Sequence, residues 1–146
     1  MSSDLSRQRL ALLTYGRLLR AASTLRGVAS RQLDGTGLTL SQFAVLEALY
    51  HLGPMSLSEV ANKILTTGGN LTMVAGNLEK QGLVSRKVSP EDARVYILSL
   101  TSKGKKMIDE IFPEHAIAIT QAFETLSPKE QKGLAELCRK LGEVSG

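Results

Sequence analysis

Apolar residues recur every three or four positions through the first part of the chain, which predicts one long helix. Gly35 and Gly37 follow it and are typical of a helix end. A helix of this length with one apolar face must bury that face, either on a long partner helix or on a second subunit. The face comprises Leu12, Tyr15, Leu18, Ala22, Leu25, Ala29 and Leu33.

Capping residues predict two shorter helices next. Thr39 and Gln42 have the spacing of a capping box, and the Gly-Pro pair at 53–54 ends the helix that they open. Ser56 and Glu59 repeat the spacing and open a third helix. These two helices are short and follow each other closely along the chain.

A fourth helix follows residues 66–69, where Thr-Thr-Gly-Gly indicates a turn. Its apolar positions between Leu71 and Leu78 are spaced i, i+3, i+4 and i+7, and Gly82 ends it. One face is therefore predicted to be buried. The positions predicted to point outward are Asn70, Thr72, Met73, Gly76, Asn77 and Lys80.

The pattern then changes from helical to extended. Residues 83–88 and 95–100 are typical of strands, and residues 89–94 between them are rich in turn formers and charge. This indicates a β-hairpin with a polar tip. Because an isolated hairpin is only marginally stable in water, it must pack on the preceding helices.

Two further helices are predicted after the hairpin. Thr101 caps one that runs to about Thr125 and bends at Pro113, and Ser127 with Glu130 caps the last. We interpret Cys138 as a packed, buried cysteine of the last helix. The apolar residues predicted to be buried there are Leu134, Leu137, Cys138 and Leu141.

The element order predicts a mainly α-helical protein with a small β-hairpin wing. Two short helices joined by a glycine-containing turn and followed by a hairpin are typical of a winged helix-turn-helix. Residues 39–100 form this lobe, and residues 1–38 with 101–146 form a helical region. At 146 residues the chain suits one compact domain.

Net charge does not locate a nucleic-acid surface in this sequence. The formal charge of +4 arises in residues 1–38, which carry six Arg against two Asp. Residues 39–100 carry five basic and five acidic side chains, and residues 101–146 carry seven of each. The placement of individual cations must therefore identify any DNA-binding surface.

Several classes of protein are disfavoured. No run of about 18 apolar residues and no signal peptide is present, so we expect no membrane contact and a cytoplasmic location. The single cysteine excludes an internal disulfide. His51 and His115 are isolated, and no nucleophile–base arrangement or phosphate loop is present, so we expect no metal, no cofactor and no enzymatic activity.

Three strings carry a resemblance to a known family. They are Leu-Glu-Lys-Gln-Gly-Leu-Val at 78–84, Asp-Ala-Arg at 92–94 and Leu-Ser-Leu-Thr-Ser-Lys-Gly at 98–104. The chain resembles the MarR family of bacterial regulators over nearly its whole length. Residues 66–72 and 111–115 resemble a branch whose members include regulators responsive to phenols and quinones.

The resemblance implies a DNA-binding transcriptional regulator. It implies a homodimer joined by the first and the last two helices, which binds a pseudo-palindromic operator in double-stranded DNA. It also implies a repressor that a small, phenolic or other aromatic effector releases. A sensor cysteine of the family's peroxide-responsive type is not supported, because the first helix contains no cysteine.

The fourth helix is the implied recognition helix. An alternative is that its outward positions are only the solvated side of an amphipathic helix. Many members of the family have Arg or Lys where Met73 stands and a larger residue where Gly76 stands, so we expect contacts that favour A·T pairs and DNA shape. The predicted DNA-binding residues here are Asn70, Thr72, Met73, Asn77 and Lys80.

The hairpin tip supplies the other DNA contacts. Arg94 is predicted to enter a narrow minor groove, with Asp92 orienting it. The family often has a second Arg where Ala93 stands, so this wing has one cation fewer. Arg86 and Lys87 are predicted to contact phosphates. The alternative for Arg94 is a solvated turn residue.

An effector site is predicted where the dimerisation helices meet the DNA-binding lobe. Its candidate lining residues are Tyr15, Phe43, Tyr50, Met107 and Phe112, and the alternative is that many of them are core residues. Two other functions remain open: a winged-helix protein-interaction module without specific DNA binding, and the dimerisation part of an enzyme.

Overall fold

The computed structural model describes residues 2–64 and 68–143. The predicted order of helices, hairpin and helices is confirmed over these residues. The helices are α1 (Ser2–Gln32), α2 (Leu40–Leu52), α3 (Leu57–Ile64), α4 (Gly68–Lys80), α5 (Ser102–Ala122) and α6 (Pro128–Gly142), and the strands are β1 (Met55–Ser56), β2 (Val84–Val88) and β3 (Tyr96–Leu100).

The capping residues predicted at Thr39 and Ser127 begin α2 and α6, and the predicted Gly53 ends α2. The Thr39 hydroxyl accepts a hydrogen bond from the Gln42 backbone N–H at 3.1 Å, and the Gln42 side chain accepts one from the Thr39 backbone N–H at 2.9 Å. Ser127 and Glu130 form the same reciprocal pair at the start of α6. Gly53 ends α2 with φ 82°, a conformation in which a side chain would be strained.

Two predicted boundaries are wrong. Gly68 and Gly69, predicted as part of a turn, belong to the first turn of α4, while Thr66 and Thr67 lie outside the described residues. The fifth helix ends at Ala122, before the predicted end, and residues 123–126 form a turn. Local sequence signals define such ends only to within a few residues, because helix ends depend on tertiary contacts.

The hairpin joins a strand that the sequence did not predict. β2 and β3 pair antiparallel, with Arg86 opposite Leu98 and Val88 opposite Tyr96. β1 pairs with the other edge of β3, which gives a three-stranded sheet in the order β1-β3-β2 within the described residues. A two-residue strand has no detectable period, so only the pairing itself reveals it.

Residues 30–115 form one of two compact units, and this lobe contains the hydrophobic core. The lobe extends beyond residues 39–100, because Leu33, which follows α1, and Ile108 and Ile111 from α5 pack into its core. The core side chains that are almost fully buried are Phe43, Val45, Leu46, Val60, Leu71, Leu78, Leu83, Leu98 and Ile108.

Residues 1–29 and 116–146 form the other unit, which has almost no core of its own. Among its described residues, Ala29 alone is a buried apolar residue. The apolar face predicted for the first helix is exposed near its start, with Leu12 70% and Tyr15 62% exposed, whereas Ala29 and Leu33 at its other end are buried. Over the described residues, no helix combines the length and apolar character that crossing a membrane requires.

The predicted burial of the last helix is also wrong for the single chain. Leu137 is 64% and Leu141 55% exposed, Leu134 is 37% exposed, and Cys138 is exposed rather than packed. Helical spacing shows that these residues share a face, but among the described residues of the single chain that face stays largely exposed.

The junction between the end of α4 and the start of α5 explains two of the family strings. Gly82 ends α4 with φ 74°, and the Thr101 hydroxyl donates to its carbonyl oxygen at 2.6 Å. Gly104 lies so close to the backbone that a Cβ there would be 2.0 Å from the Leu83 carbonyl oxygen. The string from Leu98 to Gly104 therefore fixes the start of α5 against the base of the hairpin.

We expect Gly104→Ala to lower the free energy of unfolding by about 1–3 kcal/mol, because the backbone of Leu83 must move to admit the methyl group. Gly76→Ala is the matched control, since it lies in a helix of the same lobe and its Cβ would meet nothing within 4 Å. It should raise stability by about 0.5–1 kcal/mol. Urea unfolding followed by circular dichroism compares the two, and equal effects would contradict this account of Gly104.

Candidate nucleic-acid interface

The two faces of α4 are as the sequence predicts. Its apolar side is packed into the lobe, with Leu71 1% and Leu78 0% exposed. Asn70 is half-buried at the first turn. The exposed side chains on the opposite face are those of Thr72, Met73, Asn77 and Lys80.

The wing presents a single cation at its tip in a defined conformation. Asp92 accepts hydrogen bonds from Nε and Nη2 of Arg94, each at 3.1 Å, and from the Arg94 backbone N–H at 3.0 Å. The Arg94 side chain is nonetheless 90% exposed. The predicted contact between Asp92 and Arg94 is thus present, and it fixes the orientation of the exposed guanidinium.

These hydrogen bonds with Arg94 lower the pKa of Asp92 below its ordinary value. Asp92 is therefore ionised throughout the neutral range, and the pair with Arg94 persists there. The pair is lost only in acid, as the pH falls through the lowered pKa of Asp92.

We expect Asp92→Asn to weaken operator binding about two- to fivefold, because Arg94 loses its bidentate partner and must be ordered when DNA binds. The ratio of the two affinities should stay constant between about pH 5.5 and 8, since Asp92 stays ionised across that range. Fluorescence anisotropy titrations at several pH values measure the ratio. A ratio that approaches one already at pH 6 would contradict the lowered pKa.

The two cations of β2 lie on opposite faces of the hairpin, because alternate strand residues point to opposite sides. Lys87 is exposed. Arg86 shares the face of the buried Leu98, and its side chain is 22% exposed. Its guanidinium lies over the Tyr96 ring, 5.4 Å from the centroid, so it is in part engaged within the protein.

Aromatic side chains of α2 and α5 form a cluster in the same lobe. The centroids of Phe43 and His115 are 4.6 Å apart, those of His51 and Phe112 are 4.8 Å apart, and Tyr50 lies 6.1 Å from Phe112. We call these five residues the aromatic cluster. The structure therefore brings together three of the predicted effector residues, and Met107 packs on the adjoining core.

Polar groups in and beside the aromatic cluster are well defined. The Tyr50 hydroxyl donates to Oδ1 of Asp109 at 2.7 Å, and this contact raises the pKa of Tyr50. Nδ1 of His115 is buried without a hydrogen-bond partner. Tyr15, the remaining predicted effector residue, lies in the other unit, where it is exposed.

Sequence reasoning missed the two histidines. His51 and His115 are isolated in the sequence, whereas in the fold the His51 ring meets Phe112 edge-on and the His115 ring lies tilted to it, with centroids 6.4 Å apart. The spacing of Phe112 and His115, three residues apart on one helix, is the signal that could have paired them. Among the described residues no group of His, Cys, Asp or Glu side chains is arranged to hold a metal ion.

A helix-turn-helix whose second helix presents a polar face, followed at once by a wing with a basic tip, defines the class of winged-helix DNA-binding proteins. Residues 38–96 match the MarR family. The chain is 37% identical over 132 residues to the HTH-type transcriptional regulator YkoM of Bacillus subtilis, covering 90% of this chain and 86% of that protein. It is 36% identical over 125 residues to the HTH-type transcriptional regulator MhqR of the same species, covering 86% of each. The chain belongs to the MarR family of winged helix-turn-helix, DNA-binding transcriptional regulators.

Solved structures agree with this assignment. Sco3205, a MarR family regulator from Streptomyces coelicolor in complex with DNA, has a TM-score of 0.83 at 29% identity and covers 90% of this chain and 85% of its own. BpsR of Bordetella bronchiseptica, whose DNA binding is regulated by 6-hydroxynicotinic acid, has a TM-score of 0.79 at 27% identity. The match covers 88% of this chain and 98% of BpsR. NadR in complex with 4-hydroxyphenylacetate has a TM-score of 0.78 at 26% identity, and the match covers 88% of this chain and 91% of NadR. YkoM, MhqR and Sco3205 are transcriptional regulators.

Proposed function

We propose that the protein is a homodimeric repressor that binds a pseudo-palindromic operator and is released by a small aromatic molecule. The observation that carries the DNA-binding part is the wing tip, where Arg94 is 90% exposed and yet held by two hydrogen bonds to Asp92. An ordered, exposed guanidinium suits insertion into a narrow minor groove while α4 occupies the adjacent major groove.

The homodimer is supported by the unit formed by residues 1–29 and 116–146. A unit whose one buried apolar residue among those described is Ala29 does not bury enough surface to be stable alone. Its exposed apolar side chains on α1 and α6 need a cover, and a second copy provides the matching surface by two-fold symmetry. Two recognition helices related by that axis would read two half-sites about one helical turn apart.

The aromatic effector is supported by the aromatic cluster, which combines ring faces with the unpartnered Nδ1 of His115. Phe43 and that nitrogen are buried, so a ring compound with a hydroxyl group would stack on the half-buried Phe112 and hydrogen-bond to the nitrogen only in a conformer in which the cluster opens. BpsR and NadR bind or respond to such hydroxylated aromatic acids. An effector that binds better to the conformer unsuited to DNA lowers operator affinity by linkage.

Fluorescence anisotropy tests the DNA-binding part. The purified protein is titrated onto its own upstream intergenic DNA and onto random duplex DNA across a salt series. We expect two chains per site, preference for the upstream DNA, and a logarithm of affinity that falls linearly with that of salt. If both duplexes bind equally and weakly, the operator could lie elsewhere, and a genome-wide selection of bound fragments searches for it. If that selection also yields no preferred sequence, the protein-interaction module is favoured instead.

The same assay tests the effector. Phenols, quinones and hydroxylated aromatic acids are added to the preformed complex, with cyclohexane carboxylic acid as the non-aromatic control. Release by aromatic compounds alone is the expected result. If no compound of this class lowers the affinity, while DNA binding itself is specific, the effector part of the proposal is wrong and the repressor part stands.

A further inference from the structure

Three side chains connect the end of α4 to the strands of the wing. Arg86 on β2 lies over the ring of Tyr96 on β3, with its guanidinium carbon 5.4 Å from the ring centroid. Its Nε is 3.9 Å from Oε2 of Glu79, near the end of α4. We call this arrangement the Glu79–Arg86–Tyr96 clamp.

The strand register explains why Arg86 turns towards α4. Arg86 pairs with Leu98, and Val88 pairs with Tyr96, so Arg86 and Tyr96 are diagonal neighbours on one face of the hairpin. This face packs on the helices, since Leu98 is fully buried. Nε of Arg86 is itself buried and has no hydrogen-bond partner within the protein. Its electrostatic partner is therefore the carboxylate of Glu79.

A guanidinium in this position is poorly placed to be a simple phosphate contact. Its side chain is 22% exposed, whereas that of Arg94 is 90% exposed. An aromatic ring on one side and a carboxylate near Nε form a site that suits the flat, multi-donor guanidinium of Arg better than the compact ammonium of Lys. The contacts join two elements that would each touch DNA, so a small change in them shifts the tip of the hairpin relative to α4.

We propose that the Glu79–Arg86–Tyr96 clamp sets the angle of the wing to α4, so that Arg94 and the recognition helix engage one duplex together. Arg86 acts as a positioning residue, in place of the phosphate contact that the sequence suggested. This inference rests on the proposed DNA-binding function. Holding both contacts in the bound geometry beforehand removes an ordering cost from binding.

Glu79→Gln tests the clamp, because simple electrostatics and the clamp predict opposite signs. Removing an acidic charge near DNA should by itself strengthen binding, whereas loss of the clamp should weaken it about fivefold. Glu91→Gln is the matched control: it removes an exposed acidic charge from the wing without touching the clamp. The probe is a labelled duplex that the full-length protein selects from a random-sequence library, and anisotropy measures affinity.

A double-mutant cycle separates positioning from general stability. If Glu79 acts through the wing, then once Arg94→Ala has removed the wing contact, Glu79→Gln no longer weakens binding and behaves as Glu91→Gln does. Arg86→Lys, which keeps the charge, should lose as much affinity as Glu79→Gln, while a phosphate contact would be largely retained. Thermal unfolding of each variant confirms that it is folded at the assay temperature.

The outcomes distinguish the clamp from the proposed function. The clamp is overturned if the Glu79→Gln variant binds DNA as tightly as the Glu91→Gln variant. It is also overturned if Glu79→Gln lowers the affinity equally with Arg94 present and with Arg94→Ala. In both cases the repressor proposal stands. Failure of the wild-type protein to enrich any sequence overturns the proposed function, and the positioning role with it.

Discussion

Arg94→Ala should weaken operator binding about tenfold to a hundredfold, the loss expected when one well-placed DNA contact disappears. The guanidinium is exposed and held by Asp92, so its removal leaves no new unsatisfied group inside the protein. Protein stability should therefore change little. The slope of the logarithm of affinity against that of salt should become shallower by about one.

Two variants accompany this measurement. Lys105→Ala removes an exposed cation of α5, outside the predicted DNA-binding residues, and should leave both affinity and salt slope nearly unchanged. Arg94→Lys keeps the charge but not the bidentate geometry with Asp92, so an intermediate loss is expected. If Arg94→Ala behaves as Lys105→Ala does, Arg94 is a solvated turn residue and the wing does not enter the groove.

Leu137→Asp should convert the proposed dimer to a monomer and reduce operator affinity by about a hundredfold or more. Leu137 is 64% exposed in the single chain, so the substitution does not disturb the core of the lobe. In a dimer that covers this face, an unpaired carboxylate would be buried in each subunit, at a cost of several kcal/mol. A monomer also loses the second half-site, which supplies the other half of the contacts.

Sedimentation equilibrium gives the mass of this variant, and anisotropy gives its affinity for the operator. Lys132→Asp places the same charge at an already polar, exposed position of α6 and should remain dimeric. A Leu137→Asp protein of dimeric mass would show that the subunits meet elsewhere. Loss of DNA binding without dissociation would instead point to a change in the spacing of the recognition helices.

Much of the secondary structure could be predicted because its signals are local. Such signals depend on a few neighbouring residues: the capping boxes at Thr39 and Ser127, the left-handed glycine at Gly82, and the turn formers between the two strands of the hairpin. Periodicity likewise identified the inner face of α4 correctly. The strand β1 was not predicted, because two residues show no strand pattern and are recognised as a strand only by their pairing with β3.

The candidate site was predictable only in part, for the same reason. Asp92 and Arg94 are two residues apart, so their contact follows from the turn between them. Glu79 and Arg86 belong to different elements, and nothing in the sequence shows that they meet. The contacts of His115 with Phe43 and of His51 with Phe112 could not be predicted either, because each joins two helices far apart in the chain.

The sequence by itself determined which residues share a face, where most helices begin and end, and to which family the chain belongs. Tertiary structure decided which of those faces are covered. The apolar face of α4 is buried in the lobe, whereas the similar face containing Leu137 and Cys138 on α6 is exposed in one chain. Periodicity is a property of a single helix, but burial depends on what lies opposite it, and that is a property of the fold and of its partners.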